Sequence, residues 1–350
     1  MKKKILFLGE TYRADAQTWI NGLKEFGDFD IVTFEVKART GYFGRLRRNF
    51  EFLLASVKLK KIIKEGMPDM VIAERITSYG FLAALSKFPK IAVAQQGITD
   101  IFPANSISAP IKRLIQKYVF RNVQIIHAWG EAMTASMYTS GAKYSQIIVL
   151  PKGIDLRKFN FELEKKSNLK IHAIVTRSLF PEYRHEVVLK AFKLIKDKGI
   201  PFNLVFIGDG VLYGNLTKMA FSLGISEDVQ FLGRIDHQLL PKYLSVSNVY
   251  ISMPMTEGVS ASLFEAMATG CYPIVSDLRG NRSWLRHRVN GSLVRVDDFA
   301  SLANEIEYYW KNIVNFQEQI LTNRKFIESN VSYEVNMNRI SQIYHNFIAH

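Results

Sequence analysis

Two doubly wound α/β domains are what this sequence predicts, and three observations carry the prediction. Short, continuously apolar runs recur along the chain. Segments of helical periodicity lie between them. The alternation occurs twice, interrupted by the polar stretch FNFELEKKSN at 159–168. Runs that are apolar at every position suit parallel strands covered on both faces, and strand–helix alternation implies a doubly wound sheet. At a soft prior of roughly 150 residues per domain, 350 residues also suggest two domains.

In the first half the expected strands are 5–8, 31–34, 70–73, 91–94, 125–127 and 147–150, with helices at 19–26, 50–63 and 111–120. In the second half the strands are 172–175, 204–208, 229–232, 249–253, 272–275 and 293–294, with helices at 187–196, 216–223, 238–245 and 262–268. Amphipathic helices at 299–312 and 332–348 are expected to pack on the outside. The reading divides the chain into domains 1–158 and 159–330 and a terminal helix, 331–350, able to cross back to the first domain. Ligands of open α/β sheets bind beyond the carboxyl ends of the strands, so two such domains are expected to face a cleft that holds the chemistry.

Composition narrows the classes. Hydrophobic residues make up 48% and charged residues 22%, which excludes disorder, collagen and coiled coil. The single cysteine, Cys271, excludes an internal disulfide framework and a cysteine-based zinc site. The apolar run after the opening lysines stops at Leu8 and is followed by Glu10, Arg13 and Asp15. It is too short for a secretory signal, which needs roughly 7–15 apolar residues. No run approaches the ~20 residues of a membrane span. The expected location is the cytoplasm, peripherally on the inner face of the cytoplasmic membrane.

The membrane part of that expectation comes from charge. The net charge is +14. Residues 1–150 carry 22 Lys and Arg against 12 Asp and Glu, whereas the remainder carries 24 against 20. Between 37 and 64 stand Lys37, Arg39, Arg45, Arg47, Arg48, Lys58, Lys60, Lys61 and Lys64 with one acid, Glu51, and with Tyr42, Phe43, Phe50 and Phe52 interleaved. Lys112, Arg113, Lys117 and Arg121 form a second run with Tyr118 and Phe120. Basic amphipathic segments of this kind suit an anionic lipid surface. Nucleic acid is a competing polyanion, but no RRM, KH or helix-turn-helix pattern is visible.

The most specific stretch is 255–280, MTEGVSASLFEAMATGCYPIVSDLRG. A strand precedes it and a helix starts within it. Ser260 and Ser262 suit an N-cap and first turn. Gly258 and Val259 lead into a helix start whose free N–H groups favour phosphate. Glu257 before the helix and Glu265 about one turn in are suited to accept hydrogen bonds from sugar and ribose hydroxyls.

This stretch resembles the donor-site signature of family-four retaining glycosyltransferases of the GT-B fold, in which two Glu are separated by seven residues. The similarity continues through Gly280-Asn281-Arg282 and Asn290-Gly291, and covers 140–159 (SGAKYSQIIVLPKGIDLRKF), 175–192 (VTRSLFPEYRHEVVLKAF) and FIGDG at 206–210. It is strong over about 140–295 and weak before that. The resemblance implies a GT-B architecture of two Rossmann-like domains, acceptor-binding first and donor-binding second. It implies transfer of a sugar from a nucleotide sugar, UDP by family frequency and GDP next, to a glycan or lipid-linked acceptor in cell-surface polysaccharide or lipopolysaccharide synthesis.

Carried over by residue, the resemblance places Glu257 on the donor sugar, Glu265 on the ribose and Arg177 on the diphosphate. A guanidinium fork suits that last task. The usual following Lys is missing, and Arg184 stands in for it; Thr176 replaces the usual Gly before Arg177. Gly233, Arg234 and Ile235 lie where the family's backbone recognises the base. In the first domain only Gly9 remains of a Gly-rich turn, and Gln96 in Gln95-Gln96-Gly97 aligns with a His near the reacting sugar. Glutamine is no base, so Gln96 is expected to hydrogen-bond sugar while the leaving phosphate takes the acceptor proton. His127 is a further candidate for the cleft.

No cofactor or metal is expected. Asp28-Phe29-Asp30 reads as a turn, the seven histidines form no metal-binding pair, and the nucleotide sugar is a substrate. The rivals are a nucleotide-sugar epimerase of the same fold and a basic nucleic-acid-binding protein.

Overall fold

The computed structural model describes residues 2–36, 44–95, 106–162, 164, 166 and 169–350, excepting the side chains of residues 14, 44–50, 52 and 53. Gln96, the 37–43 part of the basic segment and the side chains of Arg45, Arg47 and Arg48 therefore lie outside the described residues.

The chain separates into two compact units, Met1–Gly153 with Tyr333–His350, and Ile154–Ser332. The division falls at 153/154 and 332/333, not at the expected 158/159 and 330/331. The reason is local: the Ile154 N–H donates to the Val331 carbonyl at 2.8 Å, Ile154 bridges Ser332, and Ile154 and Phe159 are both buried in the core of the second unit.

In the first unit the order is β1 (Lys4–Leu8), α1 (Ala14–Gly27), β2 (Asp30–Phe34), α2 (Gly44–Gly66), β3 (Met70–Glu74), a π-helical stretch Arg75–Gly80, α3 (Phe81–Ser86), β4 (Ile91–Gln95), α4 (Ala109–Asn122), β5 (Ile125–Ala128), α5 (Thr134–Thr139) and β6 (Ile147–Val149). The sheet is fully parallel in the order β2-β1-β3-β4-β5-β6. β3 and β4 are buried at every position, as continuous apolar runs require.

The second unit runs β7 (Ile171–Val175), α6 (His185–Asp197), β8 (Phe202–Phe206), α7 (Tyr213–Ser222), β9 (Val229–Phe231), α8 (Leu240–Val246), β10 (Val249–Ser252), α9 (Ala261–Ala268), β11 (Tyr272–Ser276), α10 (Arg279–Arg282), β12 (Ser292–Val294), α11 (Phe299–Lys311) and α12 (Gln317–Asn330). Its parallel sheet has the order β12-β11-β10-β7-β8-β9. That is the dinucleotide-binding order of the doubly wound fold, with the strand order reversing between β7 and β10. In the first unit the reversal lies between β1 and β3.

The last helix, α13 (Tyr333–Ala349), packs on α1 of the first unit. Tyr333 donates to the Thr18 carbonyl at 2.7 Å and Asn336 to that of Pro151 at 3.0 Å. Tyr344 meets Nδ1 of His127 at 3.2 Å, and the other ring nitrogen meets the Leu150 carbonyl at 2.7 Å. Packed against Trp19 and Trp129, His127 is a buried core residue and not the site candidate the sequence suggests. Burial first, and Lys152 in addition, lower its pKa to about 4 against the pull of the Leu150 hydrogen bond.

Candidate donor site

The carboxyl ends of β7 and β10 flank the reversal point of the second sheet, where an open α/β sheet leaves a crevice for ligand. Arg177 follows β7 by two residues, and the 253–260 loop follows β10. The chain crosses itself closely here. A Cβ at Gly208, which follows β8 with φ +149°, would lie 2.2 Å from the Arg177 carbonyl oxygen, and one at Gly210 would lie 2.4 Å from that of Leu179. Only glycine permits that approach, which is the physical content of FIGDG. The Leu179 N–H then donates to the Asp209 carbonyl at 2.9 Å, and His185 holds the Ser178 carbonyl at 2.9 Å.

The turn delivers one guanidinium. Arg177 Nε donates to Ser252 Oγ at 3.2 Å and its NH2 group to Ser260 Oγ at 2.5 Å, while the same group pairs with Glu257. The Arg177 and Glu257 side chains are 15% and 11% exposed, so the pair is shielded yet open to a ligand. The guanidinium also lies 5.5 Å from the centre of the Tyr183 ring. Burial alone would lower its pKa, but interactions with Tyr250, Glu257 and Tyr183 and the hydrogen bond to Glu257 hold it above the ordinary arginine value.

Ser260 caps α9, its Oγ accepting the Leu263 N–H at 3.2 Å. Sequence left Ser260 and Ser262 as cap and first turn; the cap is Ser260, and Ser262 is half-buried in the first turn. Gly258 is buried and Val259 half-buried in the loop before the cap. α10 presses on that loop, since a Cβ at Gly280 would lie 2.3 Å from the Glu257 carbonyl oxygen and 2.8 Å from that of Gly258. Glu265 is buried on α9, and its Oε1 meets Nε2 of His237 at 2.9 Å. Gly233 turns with φ +68° and accepts the Gly208 N–H at 2.9 Å. Ile235 packs into the core cluster that contains Leu263.

Gly9 follows β1 as expected, and Arg184 is ion-paired. Arg184, in a left-handed conformation at the start of α6, reaches to Asp297 at 2.9 Å and Glu186 at 3.5 Å. Gly9 lies in the first unit, after β1, where Glu74 Oε2 would be 2.8 Å from a Cβ. Ser252, Tyr183 and His237 were missed: each comes from a turn or strand end with no spacing pattern to mark it. Among the described residues, no group of three or more His, Cys, Asp or Glu is arranged to hold a metal ion.

Two family models match, glycosyl transferases group 1 over residues 157–325 and glycosyl transferase 4-like over residues 4–130. The chain belongs to the group 1 glycosyltransferases and has the GT-B fold. An Escherichia coli UDP-Gal:alpha-D-GlcNAc-diphosphoundecaprenol alpha-1,3-galactosyltransferase is 29% identical over 46% of this chain and 44% of its own length. The amylovoran biosynthesis glycosyltransferase AmsK of Erwinia amylovora is 22% identical over 77% of this chain and 69% of its own. With the E. coli protein, then, the match spans less than half of the relative's length. The crystal structure of HepE from Anabaena in complex with UDP superimposes with a TM-score of 0.80 at 15% identity, covering 100% of both chains.

Proposed function

We propose that this chain moves a sugar from a nucleotide sugar, UDP-linked in the first instance, to a glycan or lipid-linked acceptor with retention of configuration, in bacterial cell-surface polysaccharide synthesis. The observation that carries the reading is Arg177, held between Glu257 and the Ser260 cap of α9 at the reversal point of the second sheet. A cation and a helix N-terminus converging on one crevice suit a diphosphate. On this reading Glu257 takes the donor sugar hydroxyls and Glu265 those of the ribose. The E. coli relative is named for a UDP-galactose donor and a diphosphoundecaprenol acceptor, AmsK for a polysaccharide, and the HepE structure holds UDP; these support the donor and acceptor classes.

In the reaction, the bond from the anomeric carbon to the β-phosphate oxygen breaks with its electron pair going to the diphosphate. The acceptor oxygen bonds to that carbon on the same face, and its proton passes to the departing phosphate. The added charge on the diphosphate is met by Arg177 and the α9 N–H groups without a metal. Thermal denaturation with UDP-glucose, UDP-galactose, UDP-N-acetylglucosamine and GDP-mannose in excess EDTA tests this. Stabilisation of about 2.7 kcal/mol at a hundredfold excess over Kd raises Tm by roughly 5–10 °C for a unit of this size. One of these donors is expected to do so. A shift that needs magnesium or manganese would refute the metal-free part, and no shift with any of them would refute the donor reading.

The acceptor-side unit supports a membrane surface. α2 buries Ala55 and Leu59 while exposing Leu54 and Val57 beside Lys58, Lys60 and Lys61, and α4 exposes Ile111 and Leu114 beside Arg113 and Lys117. α3 packs against both helices. Exposed apolar side chains ringed by cations suit an anionic bilayer. No described helix is long and apolar enough to cross a membrane. Sedimentation with phosphatidylglycerol vesicles is expected to carry the protein down at low salt and release it at high salt. The change of Arg45, Arg47, Arg48, Lys60 and Lys61 to Glu should abolish it. Wild type left in the supernatant at low salt contradicts the surface.

A further inference from the structure

Glu265 has a partner that no motif announces. Its side chain is 8% exposed, while that of His237 is 62% exposed and reaches it from outside at 2.9 Å. The ring is itself placed. Asp236 caps the turn by accepting the Gln238 N–H at 2.9 Å, the His237 carbonyl accepts from Leu240, and Phe159 packs edge-on at 5.9 Å. The turn that carries His237 is continuous with Gly233–Ile235, the stretch assigned to the base.

We propose that His237 is a positioning residue for the nucleoside half of the donor: by holding Oε1 of Glu265 it ties the ribose acceptor on α9 to the base-side turn. This rests on the reading of Glu265 as the ribose acceptor. A carboxylate offers about four acceptor sites, so one taken by His237 leaves enough for a vicinal diol and fixes the plane in which they lie. The charge of the ring matters as well. The hydrogen bond to Glu265 raises the His237 pKa above 6.5, with Glu265 and Asp236 adding to it and burial and Lys158 opposing. On α8 the charged side chain is Lys242, which is exposed. The cationic form therefore persists to higher pH than in a free imidazole and is lost as pH rises through the raised value. While present, it strengthens the hydrogen bond that fixes the Glu265 carboxylate.

Calorimetric titration of the full chain with UDP, GDP and inorganic pyrophosphate at pH 6 and pH 8 tests the proposal. Wild type is expected to bind the preferred nucleoside diphosphate severalfold more tightly at pH 6. His237→Ala should weaken it by about tenfold at pH 6, remove the pH difference that wild type shows beyond the ligand's own titration, and leave pyrophosphate unchanged. His237→Gln, whose amide still donates, should recover most of the affinity and be flat with pH. His237→Ala that binds as wild type at both pH values, or that loses pyrophosphate equally, overturns the proposal. Glu265→Ala separates the two levels. If it weakens nucleotide binding while His237→Ala does not, only the role of His237 falls; if it too leaves affinity unchanged, the ribose reading falls with it.

Discussion

Arg177→Ala is expected to weaken UDP binding by more than tenfold and to cut turnover further. The guanidinium hydrogen-bonds the Ser260 cap of α9, and its side chain is 15% exposed, so its charge is little screened. Hydrogen bonds to a charged group contribute about 1.5–3 kcal/mol each, and a tenfold change is about 1.4 kcal/mol. Removing Arg177 also strips Glu257 of its counter-charge, so the carboxylate repels the incoming diphosphate. Arg177→Lys keeps the charge but not the fork that reaches Ser252 and Ser260 together, and should fall between wild type and Ala. Titration calorimetry with UDP decides. Unchanged affinity in a folded Arg177→Ala variant, verified by circular dichroism, would remove Arg177 from the site.

Gly280→Ala is the second large effect, and it adds only a methyl group outside the charged cluster. The new Cβ would sit 2.3 Å from the Glu257 carbonyl oxygen, where ordinary contact begins at 3.4 Å. α10 has little room to retreat, because Asn281 Nδ2 donates to the Ser276 carbonyl at 2.7 Å and is buried. The 257–258 loop must therefore give by about an ångström, a misplacement that can cost on the order of a hundredfold in rate. Turnover should drop by about that factor, with UDP affinity changed tenfold or less because Glu265 lies beyond the displaced loop and Arg177 is also held by Ser252 and Ser260. Steady-state release of UDP from the donor measures it. Turnover within twofold of wild type would mean that the position of Glu257 is immaterial.

Much of the fold is legible because parallel strands buried on both faces must be apolar throughout, as Ile72 and Val93 are. What escaped has weak or local coding. α12 was not expected: among its fourteen residues the buried ones are Ile320, Asn323 and Ile327, too sparse a stripe to read. Nothing in RITSYG marks the π-helix at Arg75–Gly80, which starts with Arg75 at φ +60°. In the site, the Glu257–Glu265 spacing was readable because a capped helix start ties both residues to one short segment. Tyr183 and His237 were not, because contact with Arg177 and Glu265 is made only once β7, β10 and the turns beyond them are assembled. The contacts of Arg184 were equally unmarked. The resemblance sets it in place of the family Lys, and in this structure the left-handed backbone at the start of α6 goes with a side chain paired to Asp297.

The central claim is that the second unit holds a nucleoside diphosphate at the head of α9. Determining the structure of the protein with UDP bound tests it most directly. The account predicts the diphosphate within about 3 Å of the Arg177 guanidinium and of backbone N–H groups at the start of α9, with the ribose hydroxyls on Glu265. UDP bound elsewhere on the chain, or bound with Arg177 still committed to Glu257 and out of reach of the phosphates, would contradict it.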